Sequence, residues 1–127
     1  WKPIPTLQLT GHVSYLNAED ESGIAIAAIP SKMAYLQANW KINQSWQVFI
    51  NQKWINERKR AIDDTRSDLS GYDWMNARVS WQYQDLSVAL LANNLTNTQA
   101  KEPSNGSIAE DLPLHGRLLM LELGYKY

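Results

Sequence analysis

The sequence has no cysteine in 127 residues, only 2 histidines, and almost no net charge. The lack of cysteine excludes a disulfide framework and any metal or nucleophilic site that depends on a thiolate. The formal charge of -1, from 12 basic and 13 acidic residues, gives no basic excess that would point to nucleic acid as a partner. The longest wholly apolar run covers residues 24–29, which is far too short for a membrane helix.

Phenylalanine is also scarce, whereas the other two aromatic residues are abundant. There are 6 tryptophans and 6 tyrosines against 1 phenylalanine. Tryptophan and tyrosine join an apolar ring to a polar group, and they are enriched where a protein crosses the interface between membrane and water. The mean hydropathy of -0.44 is compatible with that setting, because half of the membrane residues of a β-barrel face a polar lumen.

Residues 117–127 show the most informative pattern, in which every second residue is large and apolar. A period of two predicts a β-strand with one apolar face. An apolar strand at the end of a soluble chain would fray or aggregate, whereas a transmembrane β-barrel needs its last strand to close the ring. The apolar row consists of Leu119, Leu121, Leu123, Tyr125 and Tyr127.

Six segments are predicted to be strands, and each is near the length that a tilted strand needs to cross a bilayer. They cover about residues 6–17, 31–42, 46–58, 72–83, 86–95 and 117–127. The connections between them alternate in length. The short ones are 43–45 and 84–85, and the long ones are 18–30, 59–71 and 96–116. This alternation is typical of outer-membrane barrels, which have long loops outside and short turns in the periplasm.

The tryptophans are spaced as membrane-interface residues would be. Trp46 and Trp54 share one face of the third predicted strand, and a tilt of about 40° would separate them by roughly 20 Å of membrane depth. That distance is close to the height of the apolar band that two aromatic girdles flank. Alternatively, these rings could fill the core of a β-sandwich. The predicted girdle residues are Tyr15, Trp40, Trp46, Trp54, Trp81 and Tyr83.

Three blocks together resemble the C-terminal end of TonB-dependent outer-membrane receptors. They are Ser-Gly-Tyr-Asp-Trp-Met-Asn-Ala-Arg-Val at 70–79, Leu-Leu-Ala-Asn-Asn-Leu-Thr-Asn at 90–97, and Pro-Leu-His-Gly-Arg at 113–117. The resemblance covers residues 1–127. His115 departs from the usual Pro-Gly-Arg, and Glu122 stands where a glycine is common. Tyr125 and Tyr127 match the aromatic positions of the assembly signal.

The resemblance implies an all-β, antiparallel, up-and-down transmembrane β-barrel of about 22 strands around an N-terminal plug. Residues 1–127 would form the last six strands, so the C-terminal part of the barrel domain, and the plug and the earlier strands lie outside this chain. The first residue is Trp rather than Met. We therefore expect the chain to be processed or to be a fragment.

The implied function is TonB-energised uptake of a scarce nutrient, an iron–siderophore or another metal chelate, at the outer membrane of a Gram-negative bacterium. The implied partners are the lipid bilayer and lipopolysaccharide, the TonB complex through the absent plug, the barrel-assembly machinery and a small chelate ligand. No catalytic site, cofactor or resident metal is expected. Ligand contacts are expected in the three long loops. The alternatives are a soluble β-sandwich that binds carbohydrate and a smaller passive outer-membrane barrel.

Several charged motifs have a simpler interpretation beside the functional one. Asp63, Asp64 and Asp68 could hold a cation, but a solvated acidic loop explains them as well. Residues 57–60, Glu-Arg-Lys-Arg, could meet lipopolysaccharide phosphates or simply solubilise a loop. His12 is expected to be a polar residue of the lumen face. Glycosylation patterns begin at Asn43, Asn94 and Asn105, and they carry no weight in a bacterial outer-membrane chain.

Overall fold

A computed structural model describes residues 1–104 and 108–127, and it consists of β-strands and their connections. The strands are β1 Leu7–Tyr15, β2 Lys32–Lys41, β3 Trp46–Ile55, β4 Tyr72–Tyr83, β5 Leu86–Asn93, β6 Lys101–Glu102, β7 Leu112–Pro113 and β8 Leu118–Tyr125. Six of them form one antiparallel sheet in the order β1-β2-β3-β4-β5-β8, and β6 pairs with β7. The up-and-down, all-β prediction is confirmed.

The register of the main sheet gathers the apolar residues on one face. Val79 lies opposite Leu90, and Leu90 lies opposite Leu121 on the next strand. This face has no cover in the part of the chain that the structure describes, and Leu90 and Leu121 are 52% and 62% exposed. A sandwich would bury such a face against a second sheet, so the β-sandwich alternative is not favoured. We call this surface the outer face.

The opposite surface, the inner face, is mainly polar and hydrogen-bonded between strands, with Phe49, Leu91 and Met120 as apolar exceptions. Asn76 Nδ2 donates to Asn51 Oδ1 at 3.0 Å, and Gln47 Nε2 donates to Asn39 Oδ1 at 2.7 Å. Alternation along each strand produces this division, because successive side chains of a strand point to opposite sides of the sheet. Two surfaces of opposite character match the wall of a membrane barrel.

The strand bounds differ from the prediction mainly at the third strand. It ends at Ile55 rather than at Arg58. The Asn56 side chain ends the ladder, because its Oδ1 accepts from the Lys32 amide at 3.2 Å and its Nδ2 donates to Ser31 Oγ at 3.1 Å. Pairing resumes at an isolated bridge between Arg58 and Leu69. The two short strands β6 and β7, inside the last long connection, were not predicted.

The first residues also pair with the sheet, which the sequence pattern did not indicate. The Trp1 amine donates to the Leu9 carbonyl at 3.0 Å, and the Leu9 amide donates to the Trp1 carbonyl at 2.8 Å. A turn between Ile4 and Leu7, closed by a 3.1 Å backbone bond, connects the two partners. The proline-flanked segment therefore lies along the free edge of β1.

Among the described residues, no helix is long and apolar enough to cross a bilayer. Of the three glycosylation patterns, the one at Asn43 lies in the exposed β2–β3 turn. The one at Asn94 begins on a fully buried side chain. The one at Asn105 lies outside the described residues.

Candidate functional site

The three long connections lie at the same end of the sheet, and we call them the outer loops. The first covers 16–31, the second 56–71, and the third 94–117, of which 105–107 lie outside the described residues. The Ala28 amide donates to the Lys59 carbonyl at 2.8 Å, which joins the first loop to the second. An open cavity of about 870 Å³ is lined by residues of all three loops, among them Ala28, Arg60, Asp64, Arg66, Ser104 and Ile108.

Arg60 joins the second loop to the third. Its Nη1 and Nη2 donate to the two carboxylate oxygens of Asp111 at 3.0 and 2.5 Å, and its Nε donates to the Ser67 carbonyl at 2.6 Å. The Arg60 and Asp111 side chains are only 7% and 14% exposed. A two-pronged contact fixes the orientation of both groups, so this pair determines how the two loops meet.

Arg58 makes a second connection between the same loops. It is 3% exposed, forms an ion pair with Glu102, and donates to the Lys101 carbonyl at 2.8 Å. Its guanidinium carbon lies 5.4 Å from the centre of the Tyr72 ring, and the Tyr72 hydroxyl donates to Glu102 at 2.9 Å. Strand β4, the second loop and β6 are thus held together at one point.

The acidic residues of the second loop are paired as well. Hydrogen bonds from the Arg66 side chain hold the pKa of Asp64 well below its usual value, with N–O distances of 2.6 to 3.1 Å. The Lys59 ammonium, 2.7 Å from Asp68, lowers the pKa of that carboxyl, and Asp68 in turn raises the pKa of Lys59. Hydrogen bonds from Arg60 likewise lower the pKa of Asp111.

These pairs correct two interpretations of the charged motifs. Of the three acidic residues, Asp64 and Asp68 are ion-paired, and only Asp63 matches the expected solvated acidic loop. Arg58 and Arg60 are also engaged within the protein, so they neither solubilise the loop nor face outward toward phosphates. In the described ranges, no cluster of three acidic or histidine side chains has the geometry to hold a metal ion.

Asn94 and Asn97 connect the end of β5 to the start of β8. Asn94 Oδ1 accepts from the Thr98 amide at 2.8 Å, and Asn94 Nδ2 donates to the Thr98 and His115 carbonyls at 3.0 and 3.1 Å. Asn97 Oδ1 accepts from the Arg117 amide at 3.0 Å. Both asparagines have positive φ, 51° and 56°, a conformation that asparagine tolerates better than most residues. The sequence block signalled a family resemblance, but it did not reveal these contacts.

The predicted girdle residues lie at the two ends of the outer face. Trp40, Trp46, Trp81 and Tyr83 lie at the short-turn end, where the Trp81 and Tyr83 rings stack with centroids 6.0 Å apart. Tyr15 and Trp54 lie at the outer-loop end. Of the assembly residues, Tyr125 is on the outer face opposite Leu86, and Tyr127 follows the end of β8 and is fully exposed.

The two histidines lie at a similar level along the strand direction, but they are separated across the sheet. His12 stacks on Tyr35 across β1 and β2, with ring centroids 5.2 Å apart. His115, in the third loop, packs edge-on against Trp74 of β4 at 5.0 Å. Tyr35 and Trp74 are half-buried on the inner face. Because His12 stacks on Tyr35, it lies on the inner face too, which is the lumen face on which it was predicted.

Comparison with known proteins identifies this arrangement of strands. No family model and no curated protein matches the sequence. Among solved structures, the open form of the ferric-catecholate import receptor Fiu from E. coli matches with a TM-score of 0.81, at 18% identity over 97% of this chain. The siderophore receptor PiuA from Acinetobacter baumannii matches with 0.80, at 16% identity over 98%. The ferric citrate transporter FecA matches with 0.74, at 17% identity over 96%.

The chain has the fold of a segment of a TonB-dependent receptor barrel. It spans only about a fifth of the length of these receptors, 19% of Fiu, 20% of PiuA and 21% of FecA. The neighbours are named as import receptors and transporters rather than enzymes. An apolar face without a covering layer is what one sector of a larger closed barrel wall shows when that sector is viewed without the rest of the barrel.

Proposed function

We propose that this chain forms the C-terminal part of the barrel wall of a receptor for TonB-energised uptake. The cargo would be an iron–siderophore or another metal chelate, carried across the outer membrane of a Gram-negative bacterium. The observation that carries the proposal is the match of 97% of the chain to a ferric-catecholate import receptor, with all six long strands in one sheet. The apolar outer face and the polar inner face support it.

In this proposal the main sheet forms part of the barrel wall and the outer loops form part of the ligand entrance, and the chain supplies no catalytic groups. The outer loops capture the chelate, and the cavity of about 870 Å³ between them is large enough for a compact chelate. Transport is driven by the TonB complex, which would act on a plug outside this chain. A passive barrel would need no such drive, so energy dependence separates the two.

The outer face would contact lipid, with aromatic rings at both interfaces. Trp40, Trp46, Trp81 and Tyr83 would form the girdle at the periplasmic side, and Tyr15 and Trp54 the girdle toward lipopolysaccharide. Rings with a polar edge prefer that depth because one end of the side chain stays hydrated. Tyr125 and Tyr127 would serve recognition by the barrel-assembly machinery.

The test is uptake of ⁵⁵Fe-labelled chelates by cells that carry the full receptor of which this chain is a part. Uptake should disappear when the receptor gene is deleted or when TonB is inactivated, whereas binding to cells should persist without TonB. The matched control is the same strain with the receptor restored on a plasmid. Uptake that continues without TonB would favour the passive barrel, and uptake of no chelate would reject the proposal.

A further inference from the structure

The outer face carries a shallow apolar groove close to the end where its strands enter the outer loops. Ala34 of β2 lies in the middle of the groove, and the register places Val13 of β1 and Trp54 of β3 directly opposite it on either side. The groove has a volume of about 430 Å³. The strands that carry its two walls are about 10 Å apart, and the small side chain between them leaves that space open. We call this feature the Ala34 groove.

Lys32 lies at the loop end of the Ala34 groove. It is two residues from Ala34 on the same face of β2, opposite Tyr15 of β1, and its exposed side chain lines the groove. Within residues 1–104 and 108–127 its ammonium forms no ion pair, in contrast to Lys59 and Arg60 of the outer loops. A free cation therefore stands at one end of an apolar depression.

The acidic groups around the groove have other partners. Asp73 lies opposite Trp54, two strands away from β2, and its Oδ2 accepts from Gln52 Nε2 at 2.9 Å. Gln52 is one level nearer the middle of the sheet and only 8% exposed, so this contact draws the carboxylate away from the loop end. Glu57, at the start of the second loop, bridges to Lys59 at 3.8 Å. The uncompensated charge beside the groove is therefore positive.

An apolar groove with a cation at its interfacial end is complementary to a lipid that has an anionic headgroup. The hydrocarbon chain is removed from water along the groove, and the ammonium meets the headgroup charge where the chain ends. In the proposed function, the end of the sheet that carries the outer loops faces the outer leaflet. The lipid of that leaflet is lipopolysaccharide, whose lipid A part carries phosphates above its acyl chains.

We propose that the Ala34 groove binds the lipid A part of lipopolysaccharide, with an acyl chain between Val13 and Trp54 and a phosphate on Lys32. This inference rests on the proposed function, which sets the end of the sheet that meets the outer leaflet. It assigns a specific lipid site rather than general contact with the bilayer. Tyr15, opposite Lys32, places the site at the level of the outer girdle.

The site differs from the one that the charged run at residues 57–60 suggested. Arg58 and Arg60 of that run are 3% and 7% exposed and bind carboxylates of the third loop, so they are not available to a lipid. Lys32 is isolated in the sequence, with no other basic residue within eight positions on either side. The register, not a cluster of charges, places this lysine beside the groove.

The experiment uses the full receptor, freed of lipid and folded in detergent, and equilibrium binding of three fluorescent probes. These are lipid A with both phosphates, lipid A without phosphates, and phosphatidylglycerol. The wild type should bind the phosphorylated lipid A about fivefold more tightly than the form without phosphates, the effect expected of one lysine at an anionic lipid surface. Lys32→Gln should remove this preference, and Lys32→Arg should keep it. Ala34→Phe, which fills the groove, should weaken both forms of lipid A alike.

Two other lysines provide matched controls. Lys53 lies near the same end of the sheet but on the inner face, and Lys41 lies at the opposite end of β2. Glutamine at either position should change the affinity for no probe. Heat-modifiable migration on gels measures the folded receptor, and binding is expressed per folded molecule.

The outcomes separate this inference from the proposed function. A phosphate preference that survives Lys32→Gln, an Ala34→Phe variant with unchanged affinity, or phosphatidylglycerol bound as tightly as phosphorylated lipid A would each overturn the lipid site. Uptake of ⁵⁵Fe-labelled chelates should be the same in cells with Lys32→Gln as in the wild type. Lipid A binding as expected in a receptor that takes up no chelate would overturn the proposed function and leave the lipid site standing.

Discussion

Asn94 is the only large side chain of the described residues that is fully buried. It uses both ends of its amide, and its backbone amide donates to Asn76 Oδ1 at 3.1 Å. Asparagine combines a donor, an acceptor and tolerance of positive φ in a small side chain, whereas aspartate, of the same size, lacks the donor when ionised. One residue therefore joins β4, β5 and the approach to β8.

We expect Asn94→Ala to lower the free energy of unfolding of the full receptor by about 2–4 kcal/mol, because it leaves three backbone groups without their partner and places alanine at positive φ. Asn94→Gly removes the side chain but suits the backbone, and should cost less. Denaturant unfolding in detergent micelles measures both. An alanine variant as stable as the wild type would show that water replaces the amide at no cost.

Some residue roles could be read from the sequence and others could not. Alternation along each strand is enough to assign residues to the inner or the outer face. The short β2–β3 turn could also have given the register that aligns Tyr35 with Lys53. The pairs Arg58–Glu102 and Arg60–Asp111 could not be predicted, because each joins residues of different loops that no period relates. The same holds for the contact between Trp1 and Leu9.

At the scale of elements, the outer face behaves as a single surface made from all six strands. Leu90 and Leu121 lie opposite each other on β5 and β8, near the middle of both strands. Their exposure in this sector is what a lipid-facing position requires. Asn39, in contrast, is half-buried on the inner face and hydrogen-bonded to Gln47.

Arginine at Leu90 or Leu121 should therefore destabilise the barrel by about 2–4 kcal/mol if the site lies near the bilayer midplane. Arginine at Asn39 should cost much less, because the inner face is wet. Folding into lipid vesicles at graded urea concentrations gives these values. Small, equal effects at all three positions would contradict a membrane-spanning sheet.

The contacts between the outer loops should depend on pH only in strong acid. The pKa values of Asp64, Asp68 and Asp111 are lowered by their hydrogen bonds to Arg66, Lys59 and Arg60. Groups of this kind contribute stability fully above their ordinary pKa of about 4, and the contribution is lost as the pH falls from there through the lowered value.

A spin label at Ser67→Cys should therefore report an immobile second loop at pH 7 and at pH 5, and a mobile one only in strong acid, well below the ordinary carboxyl pKa of about 4. The chain has no native cysteine, so this part of the receptor adds no background. Asp111→Asn is the matched variant, and should make the loop more mobile already at pH 7. Loosening of the wild-type loop between pH 7 and pH 5 would contradict the assignment of these carboxylates.

At the scale of the whole molecule, the long loops and the short turns lie at opposite ends of the sheet. A cysteine at Ser67 in the full receptor should react with an impermeant thiol reagent on intact cells, whereas one at Gln44 should react only after the outer membrane is opened. Both positions are exposed, so access to the reagent decides the result. Labelling of Gln44 alone on intact cells would invert the topology.

Tyr127 should affect assembly more than ligand binding. Removing it from the full receptor should reduce the amount of folded barrel in the outer membrane, because the terminal aromatic belongs to the proposed assembly signal. The receptor that does assemble should keep its affinity, since Tyr127 lies at the end of the sheet opposite the outer loops. A normal amount of folded receptor, measured by surface labelling, would contradict this role.

The order of strands in the sheet also has a kinetic consequence. Each strand from β1 to β5 pairs with its neighbour in sequence, so most of the sheet can form one hairpin at a time, with little chain entropy lost at each step. The β1–β2 and β3–β4 pairs enclose residues 16–31 and 56–71, and the β5–β8 pair encloses the longest segment, residues 94–117. We therefore expect this joint to form last and most slowly, and the hydrogen bonds of Asn94 and Asn97 lie at that joint, where early local structure would shorten the search.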